Sequence, residues 1–303
     1  MSTIEEILRK NRPKITESSI KTYATTLRGI YRKAFPSDDE IDFSKFNDVE
    51  TFLAVLKDTP SARRKSVLAA LVVFTENDRY RPLMKSDSEL YENEINENKK
   101  SSTQKENWVT QDEIKNTLNK LERMALGIWK LPQLKIEHAQ FIQQYILLSL
   151  TCGIHIPPRR ATDWAEMKVR NYDRRESGGD DNFFNGKAFI FNKFKTSATF
   201  KSQKIDCPPA LQKLLKKWIP LIPKDSDYLF FDFNGSKLTP IKISQRLNKI
   251  FGKNVSVNIL RHSYISEQYK NKSLGELSVN EIQENATKMA HSLNTHLQYI
   301  KKE

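Results

Sequence analysis

Arg261 and His262 stand side by side near the C-terminal end of this chain, followed by His291 and Tyr299. Their spacing suits two neighbouring helices and the turn between them. Further upstream lie Arg159-Arg160 with Asp163, and the basic stretch Lys193-Phe194-Lys195-Thr196. A guanidinium offers a planar fork of donors matched to an oxyanion. A phenol with a reference pKa of about 10 is a poor nucleophile unless its neighbours favour the phenolate. Two arginines and a histidine around one phosphate would lower that barrier and hold the transition-state charge, each preorganised donor adding roughly 3 to 4 kcal/mol. The chemistry these residues point to is attack of a tyrosine on a phosphodiester.

Each residue has a second reading. Pro157-Pro158 breaks a helix and Arg159-Arg160 stand where the next begins, so Asp163, three residues after Arg160, shares its helical face and can hold its guanidinium. The same pair could be a surface ion pair, and Arg159 rivals Arg160 for the role. Arg261 follows the apolar Ile259 and Leu260 and is not buried without an anionic partner, either a phosphate or a local carboxylate. Lys195, at the tip of a hairpin, could give a proton to a departing oxygen or could be solvated. His291 fits a cap or a core as well as a site, and Tyr299 fits a packed C-terminal helix. His138, His155 and His296 read as structural. No carboxylate cluster suits a metal, and no glycine-rich phosphate loop occurs, so neither metal nor small-molecule cofactor is expected.

The elements that must position these groups are mostly helical. Residues 16–35 open on Thr16, Ser18 and Ser19 and place Ile20, Tyr23, Leu27, Ile30, Tyr31 and Ala34 at helical spacing. Further helices are expected over 48–57 and from Pro60-Ser61, where Arg63, Arg64 and Lys65 precede an apolar run. Cations at a helix start oppose its dipole, so a phosphate partner would explain them; a solvated face explains them equally. Residues 86–107 change composition, with acidic residues among Asn and Ser, and form the expected linker. The boundary is placed near residue 100, giving units 1–100, with linker to about 107, and 108–303. Thr110 to Glu113 reads as a capping box, and 136–150 as a helix. Residues 188–191 and 200–205 read as strands flanking a hairpin rich in lysine, including Lys193 and Lys201. Helices follow over 209–219 and 239–251. The fold class is mainly α with a small β-sheet.

The chain has 303 residues and a formal net charge of +13, with 38% hydrophobic and 29% charged residues. That length suits roughly two domains, and the charge favours a polyanionic partner, since each cation that neutralises a phosphate releases a counterion. Cys152 and Cys207 make neither a disulfide framework nor a zinc site. With no basic-then-apolar leader, and apolar runs at 69–74 and 145–148 too short for a bilayer, a soluble intracellular protein is expected.

The ordered set Arg160-x-x-Asp163, Lys195-Thr196, Leu260-Arg261-His262 and Met289-Ala290-His291-Ser292 with Tyr299 resembles the phage-integrase family of tyrosine recombinases. RATDWAEMK is similar to that family's first arginine box, NILRHS to its second, and MAHSLNTHLQY to its histidine and nucleophile box. SSIKTYATTLRGIYRKAF is similar to its core-binding domain. The resemblance implies an N-terminal helical, SAM-like core-binding domain and a C-terminal catalytic domain. It implies that Tyr299 attacks the scissile phosphate to form a 3′-phosphotyrosyl bond, that Arg160 and Arg261 clamp the non-bridging oxygens with His291, and that Lys195 is the acid for the leaving 5′-oxygen. By the same resemblance Asp163 orients Arg160 and His262 is an accessory donor. The implied partner is double-stranded DNA, held by four protomers on two sites, wherever the target DNA lies, nucleus or viral factory in a eukaryotic host. A telomere resolvase or type IB topoisomerase would share this chemistry, and a non-catalytic DNA-binding protein would share the fold. The style of the boxes is closer to that of a mobile element or large DNA virus than to a bacterial chromosome-resolution enzyme. Three departures stand out. Asn258 occupies the position where the family usually has His or Lys, the interval from His291 to Tyr299 is one residue shorter than in many members, and only Ile300 to Glu303 follow Tyr299. That tail is too short for a helix swapped onto a neighbour.

Overall fold

The computed structural model describes residues 3–270 and 278–302, which form two compact units, Met1–Glu97 and Asn98–Glu303. The described part is mainly helical, with one small sheet. No described helix is long and apolar enough to cross a membrane.

In the first unit, α1 (Ile4–Asn11) opens on a reciprocal cap between Thr3 and Glu6. Helix α2 (Glu17–Ala34) buries Ile20, Ala24, Leu27, Ile30 and Tyr31 on one face, as the apolar spacing requires. Asp48 caps α3 (Val49–Leu56), and α4 (Ser61–Thr75) buries Leu68, Leu71 and Phe74. Between them the rings of Phe46 and Phe52 stack at 5.4 Å.

Residues 86–96, read above as the start of a linker, belong instead to α5 (Arg81–Asn96). The polar residues that suggested a linker make the solvent face of this helix, while Leu83 and Met84 pack on the core. Its Asp87 is fully buried and receives two hydrogen bonds from Arg64, at 2.6 and 2.8 Å. A buried carboxylate persists only when paired in this way, and the pair ties α4 to α5. The same contact corrects the reading of the α4 cations: Arg64 is committed to Asp87, and the Lys65 ammonium lies 3.4 Å from the centre of the Tyr91 ring. Of the three, only Arg63 is exposed.

In the second unit, Ser101 and Gln104 box the start of α6 (Ser102–Asn107), so this part of the expected linker is also helical. Helix α7 (Gln111–Ile128), capped by Thr110, packs on α8 (Ile136–Thr151), which is buried from Gln140 to Thr151 apart from Phe141. After the short α9 (Ala161–Ala165) comes a sheet of β1 (Met167–Lys168), β2 (Asn182–Phe184), β3 (Ala188–Phe191) and β4 (Gln203–Asp206), in that spatial order. β1 and β2 are parallel and the other pairs antiparallel, with Phe189 opposite Ile205. Every residue of β3 is buried, as befits an inner strand, whereas edge strand β4 alternates.

Only two strands were expected here, and the second was expected from residue 200. Helix α10 (Ser197–Phe200) occupies the hairpin tip instead, ending at Lys201, which adopts φ 56°. With φ positive and ψ −162°, Lys201 cannot continue the helix, and the chain turns there into β4. Helices α11 (Pro209–Trp218) and α12 (Pro240–Phe251) follow, then α13 (Val257–Tyr269), α14 (Val279–Lys288) and α15 (Leu293–Tyr299). The core of this unit gathers Trp164, Phe189, Phe191, Trp218, Phe231 and Leu260.

Candidate active site

Ser256 caps α13 by accepting from the Ile259 amide, which fixes the register of the helix carrying Asn258, Arg261 and His262. Asn258 faces solvent, while Arg261 is 1% exposed. A guanidinium buried that deeply needs acceptors. Arg261 donates from Nη2 to the Met289 carbonyl at 3.2 Å and to Nε2 of His291, and from Nη1 to the Tyr299 hydroxyl at 3.4 Å. Its carbon Cζ lies 5.0 Å from the centre of the Tyr299 ring. Burial pushes Arg261 down to about 10, still a cation at neutral pH. No carboxylate pairs with it among the described residues, and its Nε has no partner.

His291 arrives on the turn between α14 and α15. That turn is shaped by Ala290, whose φ of 54° is left-handed and strained for a residue with a Cβ. Its carbonyl accepts from Arg160 Nη1 at 3.3 Å and from Thr196 Oγ1 at 3.1 Å. Three chain segments therefore meet at one oxygen. Burial first, and the Arg261 and Arg160 cations next, push His291 down to about 2. It is neutral, and because arginine can only donate, Nε2 accepts and the proton belongs on Nδ1. That Nδ1 is buried without a partner among the described residues.

Tyr299 closes α15, half-buried. Its hydroxyl donates to Asn258 Oδ1 at 2.6 Å. Its ring lies 4.5 Å from that of His291 and stacks on that of His262 at 4.2 Å, 16° from parallel. His262 was expected as an accessory donor. Here burial pushes it down to about 4, and its neutral Nδ1–H donates to the Tyr299 carbonyl at 2.8 Å. It braces the tyrosine along ring and backbone.

Asp163 does not hold Arg160. It pairs with Arg159 at 3.1 Å, both side chains fully buried. The helical-face reasoning failed because Arg160 is the residue before α9 and is extended, with ψ 151°, so it does not share the face that i,i+3 spacing presumes. Arg160 turns instead toward the His291 turn. The role of Arg159 was not legible beyond its rivalry with Arg160, although a second arginine in so apolar a setting had to find a partner.

Lys195 is exposed and pairs with no described residue. Its neighbour Thr196 binds the carbonyl that Arg160 also binds, so the turn carrying it is tied to the site. Lys193 forms an ion pair with Asp180 at 3.4 Å, and Lys201 is exposed. His296, read as structural, is fully buried and meets the Tyr269 hydroxyl through Nε2 at 3.1 Å.

No family model matches the chain. No curated protein matches it either. Solved structures do. Lambda integrase residues 75–356, crystallised as a dimer bound to a COC′ core site, is 14% identical, with 96% of this chain and 93% of that chain covered and a TM-score of 0.52. XerH bound to its difH substrate in a pre-cleavage complex is 14% identical over 98% and 91%, with a TM-score of 0.47. XerA is 15% identical over 99% and 93%, with a TM-score of 0.43. The chain has the fold of lambda integrase.

Proposed function

We propose that this chain is a DNA strand transferase, a site-specific recombinase or integrase that cleaves and rejoins duplex DNA through a 3′-phosphotyrosyl intermediate. The observation that carries the proposal is the placement of Tyr299 between Arg261, His291 and Asn258, with Arg160 bound to the same turn as His291. The Tyr299 oxygen attacks phosphorus, forming a P–O bond to the phenol and breaking the P–O5′ bond. Arg160 and Arg261 clamp the non-bridging oxygens, where charge develops. Arg261 then exchanges its bond to His291 Nε2 for the phosphate. The phenolic proton leaves to solvent past the Asn258 amide, which accepts a hydrogen bond but takes no proton. Lys195 delivers a proton to O5′, and religation runs these steps backward.

The matching fold of lambda integrase, crystallised on a DNA core site, supports duplex DNA as the partner, and the +13 charge agrees. In this reading the N-terminal unit grips DNA with Arg63 among its contacts, the second unit is catalytic, and four protomers act on two duplexes. The test is a suicide duplex nicked beside the target phosphate, found by selection of bound sequences. Wild type is expected to form a covalent adduct and Tyr299→Phe none. The absence of an adduct would favour a DNA-binding protein without the chemistry, and its persistence in Tyr299→Phe would show that Tyr299 is not the nucleophile; either would overturn the proposal.

A further inference from the structure

We propose that Arg159 is a positioning residue that sets the turn bearing Lys195 against the turn bearing His291. The inference rests on the reading of Lys195 as the acid. A single guanidinium reaches three elements of the catalytic unit. Nε donates to Asp163 in α9 at 3.1 Å, and Nη1 donates to Gln203 Oε1 at the start of β4 at 2.5 Å and to the Lys288 carbonyl at the end of α14 at 3.4 Å. Its Cζ also lies 4.1 Å from the centre of the Phe191 ring and 4.7 Å from that of Phe194.

Phe191 ends β3, Phe194 immediately precedes Lys195, and Gln203 opens β4. Arg159 thus holds the hairpin on both sides of Lys195. Lys288 lies three residues before His291 and presents the negative end of α14, so the cation also suits that helix terminus. Gln203 doubles the link by donating to the Thr287 carbonyl at 2.7 Å.

The arrangement matters because the Lys195 side chain itself is held by none of the described residues, and Arg159 adds to the Thr196 bond in fixing the turn that carries it. Lys195 is exposed, pairs with no described residue, and carries a flexible stem with about 2 kcal/mol of rotamer entropy. Its reach is set by where the turn backbone stands. Displacing a reacting group by about 1 Å can cost roughly 10²-fold in rate. Arg159 is 0% exposed, so it cannot serve as a surface contact to DNA. Its Nη2 has no partner among the described residues, and the rival role is a third donor aimed at the scissile phosphate.

A duplex whose scissile phosphate carries sulfur in place of the bridging 5′-oxygen separates these roles, because a thiolate departs without a proton. Covalent adduct formation is timed on oxygen and sulfur substrates for full-length wild type, Lys195→Ala, Arg159→Lys and Gln203→Leu. Lys195→Ala is expected to be slowed roughly 10²-fold or more with oxygen and to match wild type with sulfur. If Lys195→Ala matches wild type on oxygen, the acid assignment fails and the positioning proposal falls with it. With that control met, Arg159→Lys should show the same pattern, slow with oxygen and restored by sulfur. Equal slowing on both substrates would place Arg159 on the phosphate or in the fold at large and overturn the proposal, as would no slowing on either. Gln203→Leu keeps Arg159 and loses one of its hairpin anchors, so it carries the same prediction, more weakly, should Arg159→Lys melt below the assay temperature.

Discussion

The Tyr299 hydroxyl donates a 2.6 Å hydrogen bond to Oδ1 of Asn258, one turn before Arg261 on α13. An amide oxygen fixes where the phenol points but cannot carry its proton away. In the proposed mechanism Asn258 therefore orients the nucleophile and the Arg261 cation activates it.

Asn258→Ala should slow single-turnover cleavage by no more than about tenfold, the worth of one hydrogen bond. The pH dependence of that rate should keep its shape, because no titrating base is removed. The check is adduct formation across pH for both proteins. A displaced profile would show that Asn258 participates in proton transfer.

The three buried histidines of the site region make a second prediction. His291 is pushed down to about 2, and His262 and His296 to about 4, chiefly by burial. In the unfolded chain each titrates near about 6.5. Above that pH neither state takes up a proton and their contribution to stability is full. As pH falls from 6.5 toward 4, the unfolded state binds protons that the folded state refuses, so stability is lost, each group contributing at most about 1.4 kcal/mol per pH unit. Melting temperature should fall over that window, and fall less steeply in His296→Gln. Parallel curves for the two proteins would contradict the assignment.

The Arg64 and Asp87 pair separates structure from DNA contact on α4. Arg64→Ala leaves a fully buried carboxylate without its partner, which should destabilise the first unit by about 3 to 5 kcal/mol. Arg63→Ala, on the exposed side, should leave melting unchanged and reduce the salt slope of DNA binding by about 1. Calorimetry with salt titration of binding reads both. A stable Arg64→Ala would remove the pair from the account of the fold.

Much of this was legible in the sequence. The apolar spacing of α2 and the cap at Thr110 specify local structure, because a helix face and a cap are decided within a few residues. The adjacency of Arg261, His291 and Tyr299 followed from motif order and resemblance. What failed were readings that took local spacing for spatial partnership. Asp163 chose Arg159 because the backbone at Arg160 is extended. Residues 86–96 read as a linker because a helix whose polar face meets water has the composition of a loop until its one buried ion pair is known. The turn at Ala290 was invisible, since a left-handed alanine is set by the Arg160 and Thr196 bonds to its carbonyl rather than by its own preference.

The central claim is that Tyr299, Arg261, Arg160 and His291 converge on one phosphate, and the measurement closest to it compares binding with cleavage in Arg261→Ala. Bound and covalent fractions are read from the same nicked duplex. The account predicts binding within about threefold of wild type and adduct formation reduced roughly 10²- to 10³-fold, the loss expected for one preorganised donor. An adduct retained at the wild-type rate, or binding and adduct lost together in the same proportion, would contradict it.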